Sequence, residues 1–148
     1  FGRIFRDIAA ECGMTLSELG DVAEEDPSID EMIDSRILQM AIDHDNIILE
    51  SRLAAYMLTS NGIPAFRIYL DASPDVRVAR IGMRDNESTE KALLETADRE
   101  ASEKKRYMMY YGIDLNDTSV YDLMVNTDDI DPDQVVQVIL DALEGYSR

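Results

Sequence analysis

Apolar residues recur along this chain in two rhythms, a helical one through most of its length and short continuous runs in three places. Ile4, Phe5 and Ile8 share one face of a helix over 3–11, which Gly13 ends. Thr15-Leu16-Ser17-Glu18 fits a capping box, so a second helix is predicted to run to about residue 25. Asp26-Pro27 restarts the pattern, with Asp as N-cap and Pro at the first helical position. Ile29, Met32, Ile33, Ile37, Met40 and Ala41 then follow helical spacing. The run NIILE (46–50) predicts a buried strand, 52–59 a short helix, and Asn61-Gly62 a turn. AFRIYLD (65–71) reads as a second strand. Ser73-Pro74 opens a helix carrying Val76, Ala79, Arg80 and Met83. A long, largely polar helix follows over 88–110, stopped by Gly112. YDLMVN (121–126) is a third strand, and Asp131-Pro132 begins a closing helix with Val135, Val138, Ile139 and Leu143.

Strands alternating with helices predict an α/β domain built on a parallel sheet. Three short strands are few for so many helices, because parallel sheets are buried on both faces. The expectation is a sheet lacking some of its strands, and a chain that opens at Phe1 rather than Met is expected to be a fragment. The 148 residues suit one domain. No apolar run approaches the ~20 residues of a membrane helix, and no secretory signal opens the chain. A soluble, cytoplasmic protein is expected, without a membrane partner. One cysteine, Cys12, excludes an internal disulfide framework, and with His44 the only histidine, zinc sites of the His/Cys type are excluded too.

Charge sharpens the picture. The net charge is −17, from 31 acidic and 14 basic residues, which argues against non-specific nucleic-acid binding. Lysine is confined to Lys91, Lys104 and Lys105, against eleven arginines. Such a surface suits a salt-rich cytoplasm, and equally serves simple solubility. Eight of the fourteen basic residues lie between Arg77 and Arg106. In so acidic a chain this cluster marks a place for an anionic ligand. The alternative is helix-surface pairing, such as Glu95–Arg99 and Glu100–Lys104 at i,i+4.

Ligands of open parallel sheets bind outside the carboxyl ends of the strands. The predicted strand at 46–50 leads into Ser51-Arg52, which places Arg52 at that rim. A guanidinium there takes a phosphate with two parallel hydrogen bonds, or closes a salt bridge with Glu50 or Asp71. Arg3 and Arg6 share a side of the first helix, where ordinary solvated charge is the competing reading. Helical spacing puts Arg99, Glu103 and Arg106 on one face of the long polar helix. A helix so polar is held weakly and can close over phosphates.

The stretches GRIFRDIAAECGM, EEDPSIDEMID, LESRLAAYM, IYLDASPDVRVARI, DREASEKKRYMMYYGIDLND and SVYDLMVNT run in this order from Gly2 to Thr127. In this order they resemble the archaeal-type cytidylate kinases, nucleoside monophosphate kinases of the P-loop fold. The resemblance implies a parallel sheet flanked by helices in one kinase domain over 1–148. Within it, acceptor-nucleotide helices occupy 1–45, the core 46–84 and 111–148, and a lid 85–110. It implies transfer of the γ-phosphoryl group of ATP to CMP or dCMP with Mg2+, by a protein that is monomeric when intact. Arg6 and Arg52 match acceptor-phosphate arginines, with Ser51 in place of a frequent glycine. Glu103 falls with the substrate-binding residues, and Arg99 and Arg106 with the catalytic cations of the lid. Arg80, Arg84, Asn126 and Thr127 fall on the ATP side. Another nucleotide kinase, adenylate kinase-like, and an inactive nucleotide-binding module are the alternatives.

The family's phosphate-binding loop, G-x-x-x-x-G-K-[ST], occurs nowhere in these 148 residues. From the resemblance, that loop and the first strands are expected to precede Phe1. The chain alone is then expected to be inactive, with a swapped or rearranged oligomer as one way for it to fold.

Overall fold

The computed structural model describes residues 2–86 and 88–146, with the side chains of residues 2–4 outside the description. The elements follow the order α1 (Gly2–Glu11), α2 (Leu16–Glu25), α3 (Ser28–Asp43), α4 (Ala54–Ser60), β1 (Ile68–Asp71), α5 (Pro74–Asp85), α6 (Thr89–Tyr111), β2 (Leu123–Asn126) and α7 (Pro132–Glu144).

Most helix ends obey local chemistry. The expected capping box opens α2: the Glu18 N–H donates to Thr15 Oγ1 at 3.2 Å, and the Thr15 N–H donates back to Glu18 Oε2 at 2.8 Å. Asp26 ends α2, and its side chain accepts from the Ser28 N–H at 3.0 Å as α3 starts. Pro74 takes the first position of α5, and Asp131 with Gln134 forms a second capping box on α7. Gly112 ends α6 at φ 66°, a left-handed conformation that glycine adopts without Cβ strain.

The sheet among the described residues has two parallel strands, in register from Ile68 opposite Leu123 to Asp71 opposite Asn126. Each end is pinned. Arg67 clasps Asp122 at the start, Nε to Oδ2 at 2.9 Å, and the Thr127 N–H reaches the Asp71 carbonyl at 2.8 Å beyond the end. The domain is therefore mixed α/β and mostly helical around a small parallel sheet.

The expected strand at 46–50 does not form. A strand exists by pairing its backbone groups with a neighbour, and β1 is bonded only to β2 among the described residues. Residues 47–50 stay irregular, leaving Ile48 97% exposed while Leu49 packs inward. The other two strands are shorter than expected. Tyr121 lies outside β2 and packs its ring against Tyr56 and Tyr69, with centroids 5.9 and 5.0 Å apart.

Two apolar clusters hold the helices. Phe5, Ala9, Leu19, Ile33, Ile37 and Ala54 join α1, α2, α3 and α4. Leu53, Tyr56 and Tyr107 join the α4 region to α6. No helix among the described residues is long and apolar enough to cross a membrane.

Candidate functional site

The carboxyl ends of β1 and β2 stop at Asp71 and Asn126, and α5 starts three residues beyond Asp71. Arg80 reaches from α5 to the residue after β2. Its Nη1 donates to Thr127 Oγ1 at 2.8 Å and its Nη2 to the Thr127 carbonyl at 2.6 Å. Thr127 Oγ1 in turn donates to the Asp71 carbonyl at 2.9 Å. Asn126 Oδ1 accepts from the Asp128 N–H at 2.9 Å, and Asp128 Oδ1 accepts from the Ser73 N–H at 2.7 Å. Arg80, Asn126 and Thr127, singled out separately in the sequence, thus meet at one rim of the sheet. Arg84 is turned from it and forks onto neighbouring Asp85, at 2.7 and 2.6 Å.

Arg52 precedes α4 and points at α6. Its Nη1 lies 2.7 Å from Glu103 Oε2, an ion pair without good hydrogen-bond alignment, and its Nη2 lies 4.0 Å from Glu100 Oε1. The rim bridge considered for Arg52, to Glu50 or Asp71, is replaced by these two α6 carboxylates. Glu100 also makes a close ion pair with Arg77 of α5. Burial pushes the Glu103 carboxyl above its ordinary pKa, and the charges of Arg52, Arg99 and Arg106 pull against that rise. The surface pairs expected along α6 rearrange as well: Glu95 meets Lys91 at 3.6 Å, and Glu100 turns to α5 and Arg52.

Arg6 is exposed on α1 and Arg99 is half-buried on α6. Both act on Asp85. The hydrogen bond from Arg84 holds the Asp85 carboxyl below its usual range, and the charges of Arg6 and Arg99 add to that effect. Arg6, Arg84 and Arg99 therefore lie within electrostatic reach of one carboxylate, and Arg99 also reaches Glu103. The side chain of Arg3 lies outside the described residues.

Arg106 sits deepest. Its Nε donates to Asp30 Oδ2 at 2.6 Å and its Nη1 to Ser102 Oγ at 2.7 Å, with the Phe5 ring centroid 5.9 Å from the guanidinium carbon. One turn along α3, Asp34 accepts from the Tyr111 hydroxyl at 2.8 Å. Burial raises the Asp34 carboxyl to about 6 despite that hydrogen bond, and the nearby Asp30 charge adds to the rise. Asp30 and Asp34 were absent from the candidates read in the sequence, although their place on the buried stripe of α3 was there to see. Arg77 was absent too.

The long polar helix is better anchored than its composition suggests. Tyr107, Arg106 and Glu103 bury its C-terminal half, and the Tyr110 hydroxyl donates to the Ala23 carbonyl at 2.7 Å. Chemically, the site is a row of guanidiniums from α1, the approach to α4, α5 and α6, separated by carboxylates. Such a row can receive a polyanion wherever the carboxylates give way. Among the described residues, no group of three or more His, Cys, Asp or Glu side chains is placed to hold a metal ion.

Residues 3–129 match the model of the cytidylate kinase-like family. A cytidylate kinase of Halobacterium salinarum is 43% identical over 145 residues, covering 98% of this chain and 74% of that protein. One of Haloarcula marismortui is 45% identical over 146 residues, covering 99% and 75%. One of Methanocaldococcus jannaschii is 43% identical over 148 residues, covering 99% and 83%.

Proposed function

Because this chain belongs to the cytidylate kinase-like family, we propose that it takes part in transfer of the γ-phosphoryl group of ATP to CMP or dCMP, giving ADP and the pyrimidine nucleoside diphosphate. An oxygen of the acceptor phosphate attacks the γ-phosphorus in line with the departing ADP oxygen. The protein's task in such a reaction is to position two anions and offset the charge spread over the transferring group.

Arg6 and Arg52 bind the acceptor phosphate in this reading, and Glu103 orients Arg52 and the bound acceptor. Arg99 supplies positive charge to the transferring group from α6. Arg106 serves the same lid, entering the reaction through its position beneath Glu103 and its pair with Asp30. Arg80, with Thr127 and Asn126, forms the floor for the ATP base, and Arg84 reaches the ATP phosphates once released from Asp85. Magnesium, when bound, neutralises phosphate charge. Such an ion is held mainly by the nucleotide phosphates and water with one or two protein oxygens, and the roles assigned here to the arginines add to its charge.

The observation that carries the reading is the meeting of Arg52 with Glu100 and Glu103. It joins the approach to α4 to α6 through a phosphate-type guanidinium that is 40% exposed and open to an incoming anion. The test is calorimetric titration with CMP, dCMP and AMP, alongside an assay of ADP formation. Arg52→Ala is expected to weaken CMP binding by about tenfold to a hundredfold, since a hydrogen bond to a charged group contributes roughly 1.5–3 kcal/mol. Unchanged CMP affinity in that variant would sink the acceptor assignment.

A further inference from the structure

Arg77 has a feature that a simple tie between helices does not require. Its Nη1 pairs closely with Glu100, yet its Nε is buried and has no hydrogen-bond partner among the described residues. A buried N–H donor left unused costs free energy, and a guanidinium offers its donors as a fork matched to two oxygens of one anion. Glu100 is also shared: the same Oε1 that pairs with Arg77 lies 4.0 Å from Arg52 Nη2. One carboxylate thus stands between two guanidiniums from different elements. Both side chains remain open to solvent, at 40% and 39% exposure, so a ligand can reach them. Arg77 also lies in the first turns of α5, six residues beyond the carboxyl end of β1, on the side of the sheet where ligands of parallel sheets bind.

We propose that Arg77 is a further acceptor-phosphate residue beside Arg52, and that Glu100 is an internal anion holding Arg52 and Arg77 apart by the span of a phosphate until the acceptor displaces it. This rests on the reading of Arg52 given above. The exchange has a direction. A phosphate monoester carries about −1.5 to −2 charges at pH 7 and three acceptor oxygens, whereas Glu100 offers one charge and two oxygens. The phosphate satisfies both forks, including the idle Nε of Arg77, and the carboxylate leaves. A nucleoside without a phosphate has nothing to offer in return, so the clamp selects phosphorylated acceptors. It also ties acceptor binding to α6, because the displaced Glu100 belongs to that helix.

The experiment is CMP and cytidine titration of the full chain by calorimetry, for the wild type and for Arg77→Ala, Arg77→Lys, Glu100→Gln and Arg52→Ala, each checked by a thermal melt. Arg77→Ala is expected to weaken CMP binding about tenfold or more. Arg77→Lys keeps the charge and the Glu100 pair but lacks the fork, and should lose most of the same affinity. Glu100→Gln should bind CMP about threefold tighter or better, since the competing anion is gone. A helix tie alone predicts the opposite pattern, with lowered melting and unchanged CMP affinity. If Arg52→Ala loses CMP affinity while Arg77→Lys melts normally and binds CMP as the wild type does, this inference falls and the acceptor site stands. Weaker binding in Glu100→Gln overturns the place-holding role. If Arg52→Ala is also without effect, or the wild type binds CMP no better than cytidine, the acceptor reading fails and this inference with it.

Discussion

Arg106 and Asp30 meet inside the protein, guanidinium Nε to carboxylate Oδ2 at 2.6 Å, with neither side chain more than 2% exposed. The pair fastens α6 to α3, and neither partner has water to turn to if the other is removed. Replacing one partner of such a buried pair costs about 3–5 kcal/mol, because the remaining charge is stranded. Asp30→Ala and Arg106→Ala are each expected to lose about that much in urea denaturation. The double variant should lose much less than the sum. Full additivity would show that the two charges act independently.

Asp34 predicts the sign of a pH dependence. Its folded carboxyl is raised from 3.8 to about 6, so between these values the folded state binds the proton more tightly than the unfolded chain. The contribution of Asp34 to stability is therefore greatest below about pH 4. It falls as pH rises toward 6, and the deficit persists above that. The groups around it are Asp30 on α3 and Tyr107, Tyr111 and Arg106 on α6. Asp34→Asn keeps an acceptor for the Tyr111 hydroxyl and removes the titration. Melting temperatures from pH 4 to 7 should decline less steeply in that variant than in the wild type. Parallel curves would refute the raised carboxyl.

Arg80 tests the ATP side apart from the acceptor side. Removing its two hydrogen bonds to Thr127 unties α5 from the residue after β2, which keeps its own bonds to Asp71, and leaves Arg52 and its partners in place. Arg80→Met is expected to weaken ATP binding about tenfold and to leave CMP binding unaltered. Equal losses for both nucleotides would mean that Arg80 supports the fold as a whole.

Helix α6 should not move as one piece. Its C-terminal half holds the large side chains of Glu103, Arg106 and Tyr107 in the interior, whereas its N-terminal half buries the smaller Ala92 and Thr96 and leaves Leu93 and Leu94 exposed. Amide exchange is expected to be slow around Tyr107 and faster over residues 89–95. Uniform protection from end to end would contradict a lid hinged in this way.

Much of this arrangement could be read from residue order. Capping boxes at Thr15 and Asp131 and the stop at Gly112 rest on local rules, and local rules are written in sequence; the runs at 68–71 and 123–126 were legible as strands, but their pairing with each other was not. The strand at 46–50 failed for a non-local reason, since pairing needs a neighbour that an apolar run cannot specify. The buried carboxylates were missed through an assumption about α3. Ile29, Met32 and Met40 were counted with Ile33 and Ile37 in the helical pattern, but Met32 and Met40 are exposed, Ile29 packs at the edge of the core, and the buried stripe is Asp30, Ile33, Asp34 and Ile37. That spacing is i, i+3, i+4, i+7, the clearest helical signature available. Two aspartates on it signal a buried cationic or hydroxyl partner, which Arg106 and Tyr111 supply. Glu100 and Arg77 were hidden differently, because their pairing depends on how α5 and α6 lie against each other.

Once Ala92 and Thr96 leave their buried positions, the anchoring of α6 at Tyr107 would make the helix a lever with a short arm and a long one. At 1.5 Å of rise per residue, Thr89 lies about 27 Å from Tyr107 along the axis and Arg99 about 12 Å. A tilt of about 10° at that pivot would carry Thr89 through about 5 Å but Arg99 through only about 2 Å, by the same geometry. The far tip would sweep wide enough to admit or enclose a nucleotide, while the arginine near the fulcrum would be adjusted by less than the length of a hydrogen bond.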